Sequence, residues 1–183
     1  MFSWIYNLIY SSKDTEIANL QNKLSESELK IKALEEGLAL YVQGTNPESP
    51  KSYGVITYQE EIKLLSQFNC PINITDQFLQ LTSVEEAKIY VESAKLQYRK
   101  WIKEDYDCDN FSASLFGYWS DSLKSFAFGM ARSSSHQFNI FIDKDKKVWI
   151  VEPQTAKFMT PEEAQKASSP DGLNYLPLRY IWM

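Results

Sequence analysis

From Ile17 to Tyr41 the apolar residues recur at alternating steps of three and four, and no other feature limits the fold of this chain as strongly. Ile17, Leu24, Ile31 and Leu38 occupy one seam position of a heptad; Leu20, Ser27, Leu34 and Tyr41 occupy the other. Seven of these eight positions are apolar, which is the pattern of a coiled coil rather than of a helix lying on its own domain. The flanks agree: in a parallel pair Lys23 would face Glu28 of the partner, and Lys30 would face Glu35. Residues 14–43 are therefore expected to self-associate as a parallel dimer or trimer.

The helix cannot continue past GTNPESPKS, residues 44–52, where Gly, Asn and two Pro break it. This divides the chain into an apolar start and coiled-coil stalk over 1–43, a linker over 44–54, and a globular head over 55–183. The opening MFSWIYNLIY is apolar, but ten residues span about half a bilayer and no Lys or Arg precedes them. Neither a signal peptide nor a full transmembrane segment is expected, although Trp4, Tyr6 and Tyr10 suit contact with a membrane interface. A cytoplasmic or virion-associated protein is the resulting expectation.

Within the head, Thr57 with Glu60 reads as a capping box opening a helix to about Phe68, stopped by Asn69-Cys70-Pro71. Ser83 with Glu86 opens a second helix running to about Lys103, and a third is expected from Cys108 to Tyr118. Residues 136–142 and 147–152 alternate as two strands around Asp143-Lys144-Asp145-Lys146, and Thr160-Pro161 starts another helix. The tail from Tyr175 to Trp182 reads as a docked strand. Helices first and strands later give an α+β fold.

Composition restricts the chemistry. A net charge of −5 argues against a nucleic-acid partner, and a single His with two Cys rules out an ordinary four-ligand Cys/His zinc site. Any imidazole chemistry must run through His136. With a three-residue loop at 143–145, Ile142 pairs with Lys146, Phe138 faces Ile150, and His136 faces Glu152. A slip by one residue would mix the faces, so the apolar pattern orients the one His by a carboxylate. Cys108, in YDCDNF, falls at a helix start, where unpaired N–H groups and the helix dipole favour a thiolate and can receive an oxyanion. A thiol, a base and an acid that orients the base form the triad of an activated cysteine.

YDCDNF at a helix start, SSSHQFNIFID and WIVEPQTAKF together resemble the papain-like and transglutaminase-like cysteine hydrolases. Within them, the similarity is closest to the protease domain of the fairy-ring mushroom agglutinin and its bacterial and phage relatives. The resemblance implies a papain-like core, a central helix packed on an antiparallel sheet, over roughly 55–183. It also implies Cys108 as nucleophile, His136 as general base and Glu152 as orienting acid, acting on a peptide or protein through an acyl-enzyme. Calcium activation in that family would draw on the acidic cluster of Asp105, Asp107 and Asp109 beside Glu104. The alternative is a coiled-coil structural or attachment protein, such as a virion component, whose head has lost activity.

Overall fold

The computed structural model describes residues 48–122 and 124–183 and, before them, positions 16, 17, 19–21, 23–25, 27, 28 and 30–32. The chain forms two compact units, Met1–Asn46 and Pro47–Met183. In the first, all the described positions are helical, and Ile17, Leu20, Leu24 and Ile31 are each more than half exposed. The hydroxyl of Ser27, the polar seam residue, donates back to the Lys23 carbonyl at 2.8 Å. The remaining seam residues Leu34, Leu38 and Tyr41, the flanking Glu35, and the apolar residues 1–10 lie outside the described residues. Among the described residues no helix is long and apolar enough to cross a membrane.

The second unit mixes α and β structure. Strand β1 (Gly54–Thr57) leads into helix α1 (Tyr58–Leu65), whose capping box forms as its sequence requires. The Thr57 amide donates to Glu60 at 3.0 Å, and the Glu60 amide donates to the Thr57 hydroxyl at 3.3 Å. A short strand β2 (Ile72–Asn73) and strand β3 (Phe78–Leu81) follow, and β3 pairs antiparallel with β1. Helix α2 (Val84–Ser93) starts at Ser83 as expected but ends well before Lys103. Lys95 adopts a left-handed conformation, φ 54°, which turns the chain so that Leu96 is buried in the core. Ser83 caps the Glu86 amide, but the Glu86 carboxylate accepts instead from the Lys51 amide and the Tyr53 hydroxyl.

Helix α3 (Cys108–Ser120) lies against a six-stranded sheet. To β2 the sheet adds β4 (Phe128–Arg132), β5 (Gln137–Ile142), β6 (Val148–Glu152), β7 (Lys157–Met159) and β8 (Tyr180–Trp182). Their order is β2-β8-β4-β5-β6-β7. Helix α4 (Pro161–Lys166) begins at its Thr160 capping box with Pro at the first position. The tail does dock as a strand, though only over its last part: β8 runs antiparallel to β4 and parallel to β2.

Both faces of the sheet are covered, so β5 is buried along its whole length. Phe138, Ile140, Ile142, Val148 and Ile150 join Leu65, Leu79 and Tyr175 in one core. Phe128, Phe141 and Val151 join Phe111, Leu115 and Trp119 of α3 and Tyr90 of α2 in the other. The expected β5–β6 register is corrected by two residues. Ile142 pairs with Val148 and Ile140 with Ile150, because the loop is longer than three residues. The Asp143 carboxylate holds that loop by accepting from the amides of Asp145 and Lys147 and from the Trp149 indole, at 2.8–2.9 Å. A two-residue slip preserves which face each side chain points to.

Candidate active site

Cys108 is the first residue of α3, and the helix is anchored to β5 just beyond it. The Ser112 hydroxyl donates to the Phe138 carbonyl at 3.0 Å, and the Asn139 amide group donates to the carbonyls of Ser112 and Gly129, each at 3.1 Å. On the approach to the helix, Asn110 accepts from the Asp107 amide at 3.2 Å. Tyr106 packs edge-on against Phe111, and its hydroxyl lies 3.0 Å from that of Ser114. These contacts hold the start of α3 beside the segment that delivers His136.

That segment is a tight turn built on Ser133. The Ser133 hydroxyl accepts from the His136 amide at 3.1 Å and donates to the Asn174 carbonyl at 2.6 Å. His136 and Glu152, 0% and 1% exposed, meet through Nε2 and Oε2 at 2.7 Å. Tyr175 donates its hydroxyl to the same Oε2 at 2.8 Å, and the Gln154 amide donates to Oε1 at 3.0 Å. Glu152 is therefore fixed at both oxygens, which leaves His136 Nδ1 as the nitrogen free to serve a reacting group. Nδ1 is buried and makes no hydrogen bond as the side chains stand. Burial alone would lower the basicity of this imidazole; Cys108 and Glu152 outweigh it and push the ring up to about 9.

The structure pairs His136 with Glu152, with Cys108 close enough to influence the ring, although the register joins His136 to Glu152 differently from the expectation. The ladder carried one step further sets Phe138 opposite Glu152, so His136 reaches its acid diagonally. Sequence reasoning did not find Tyr175. It lies 23 positions beyond Glu152, in a tail whose aromatic content suggested only a docked strand. The other thiol, Cys70, is half-buried against the opposite core, where burial pushes it up; it takes no part in the site.

The expected calcium ligands Asp105, Asp107 and Asp109 are not gathered into a metal-binding group. Asp107 and Asp109 share a hydrogen bond that holds Asp107 below the usual carboxylate range and raises Asp109. Among the described residues no group of three or more His, Cys, Asp or Glu is arranged to hold a metal ion. A calcium ion draws on six to eight oxygens, and no such set of carboxylates is gathered among the described residues.

No family model matches the chain, and no curated protein matches it. Among solved structures, a complex of PSL1a with E64 is similar at a TM-score of 0.52 and 17% identity, over 70% of this chain and 51% of that one. A second is the Polyporus squamosus lectin bound to a human-type influenza-binding epitope, Neu5Aca2-6Galb1-4GlcNAc. Its TM-score is 0.49 at 18% identity, over 57% of this chain and 45% of that one. The chain spans about half the length of the structures it matches. At such identity the first likeness is one of fold. It corrects the kinship that the motifs implied: the papain-like family membership, with the protease identity it carried, is set aside.

Proposed function

We propose that Cys108, His136 and Glu152 form a cysteine acyl-transfer centre. In this reading His136 Nδ1 takes the thiol proton, and Cys108 Sγ forms a bond to the carbonyl carbon of an amide or ester. The tetrahedral oxyanion is received by the amide that opens α3. The C–N or C–O bond then breaks, the leaving group takes the proton from His136, and a thioester remains on sulfur. Water or an amine, deprotonated by the same nitrogen, attacks the thioester and restores the thiol. Glu152, held by Tyr175 and the Gln154 amide, keeps the ring oriented and stabilises its charged form. The observation that carries this reading is the buried His136–Glu152 pair at 2.7 Å, with an imidazole raised to about 9 and acted on by Cys108.

The same reading includes an oligomeric stalk. Ile17, Leu20, Leu24 and Ile31 present apolar side chains that nothing among the described residues covers, and a second copy with Lys23 opposite Glu28 would cover them.

Iodoacetamide at pH 6, with each cysteine followed by peptide mapping, tests the centre. Cys108 is expected to alkylate at least about tenfold faster than Cys70, because a thiol at a helix start beside a protonated imidazole is activated while a buried thiol is not. Equal, slow reaction of both thiols would overturn the reading and favour a structural or attachment protein with an inert head.

A further inference from the structure

Cross-strand pairing sets side chains of β4, β5 and β8 in rows on the face covered by α3. Phe128 and Phe141 form one row, beneath Trp119 of the helix. Asn139, Met130 and Trp182 form the next; there Asn139 binds the Ser112 carbonyl and Trp182 packs on Phe116. Each step down the strands thus moves about one turn toward the start of α3. The following row, one step further in that direction, is Gln137, Arg132 and Tyr180, with Gln137 next in sequence to His136. In it, the Tyr180 hydroxyl donates to Gln137 Oε1 at 3.1 Å, which occupies both of Arg132's neighbours with each other.

Arg132 is exposed, and its guanidinium makes no hydrogen bond or ion pair among the described residues. Its charge nonetheless reaches Asp107, the residue before Cys108, where it helps to hold that carboxyl down. The surroundings are acidic: the chain carries net −5, and Asp107 and Asp109 flank the thiol. An exposed guanidinium beside these carboxylates offers a planar pair of donors that matches a carboxylate and offsets the repulsion an anion would otherwise meet.

We propose that Arg132 is a specificity residue that selects acyl donors bearing a carboxylate, held beside Cys108 on the row of Gln137 and Tyr180. This rests on Cys108 being the nucleophile, and the test separates the two. Iodoacetate and iodoacetamide differ by one carboxylate; each forms an S–C bond at Cys108, releases iodide and leaves the thiol proton to the buffer. Second-order rates of both with the full chain give a ratio that reads the local charge. Arg132→Gln is expected to lower the iodoacetate-to-iodoacetamide ratio at Cys108 by about five- to tenfold, with Arg132→Lys intermediate. An unchanged ratio in Arg132→Gln, at a melting temperature matching the parent, would overturn the proposal. A ratio that still falls while Cys108 reacts no faster than Cys70 would retain the anion subsite and refute the nucleophile.

Discussion

Replacing Glu152 by Gln keeps the shape of the side chain and removes the charge that faces His136. The imidazole stands at about 9 against an ordinary value of 6.5. At about 1.4 kcal/mol per pH unit, that rise corresponds to about 3 kcal/mol of folding stability. Glu152 shares the effect with Cys108, so the loss assigned to Glu152→Gln at pH 6 is about 2 kcal/mol. The sign follows from linkage: a group whose folded value lies above its unfolded value contributes fully below 6.5, and the contribution is lost as pH rises through about 9. The cost of the substitution should therefore be largest at pH 6 and fade toward pH 10. Urea unfolding at both pH values measures it. His136 is the only His in the chain, so a single imidazole C2-proton resonance reports the titration without assignment. In the parent it should move with a midpoint near 9, and in Glu152→Gln with a midpoint lower by roughly one to two units. A parent midpoint at or below 6.5, or a cost of equal size at both pH values, would refute the reasoning.

Two further outcomes follow from packing. A Cβ at Gly129 would lie 2.5 Å from Met183 Cγ and press on the Trp182 carbonyl. Gly129→Ala should therefore force β8 away from β4 and lower stability by about 2 kcal/mol; an unaltered urea midpoint would count against it. In the stalk, Leu24→Glu places a charge in the exposed seam. The parent should sediment as a dimer or trimer and the variant as a monomer, whereas a monomeric parent would remove the coiled coil.

What the sequence disclosed is what local chemistry determines. The capping box of Thr57 with Glu60 and the helix start at Thr160-Pro161 each involve residues within four positions along the chain, and both form as written. The start of α3 at Cys108 was equally legible, because the acidic turn before it and the apolar spacing behind it are neighbours in sequence. Strands β1, β3 and β4 were not, since each depends on partners far along the chain: Gly54 pairs with Leu81, and Arg132 with Tyr180. The end of α2 was missed for the same reason. Burial of Leu96 against a distant core favours a left-handed turn at Lys95 over further helix.

The β5–β6 hairpin shows why a wrong register still located the right pair. Three hydrogen bonds accepted by the Asp143 carboxylate hold the longer loop, and hydropathy periodicity carries no trace of them. The periodicity does fix parity, because Phe138, Ile140, Val148 and Ile150 must share a face to be buried together. Among registers of the correct parity, sliding by two moves His136 from directly opposite Glu152 to a diagonal position, a distance that two long side chains can bridge. The His–Glu contact is therefore a consequence of parity, and it withstands an error in the loop. Tyr175 has no such protection. Its bond to Glu152 depends on the path of the chain from α4 to β8, and no spacing within the hairpin encodes that path. Cys108, His136 and Glu152 sit on elements whose patterns are local, whereas Tyr175, which holds Glu152 in place, arrives through tertiary structure alone.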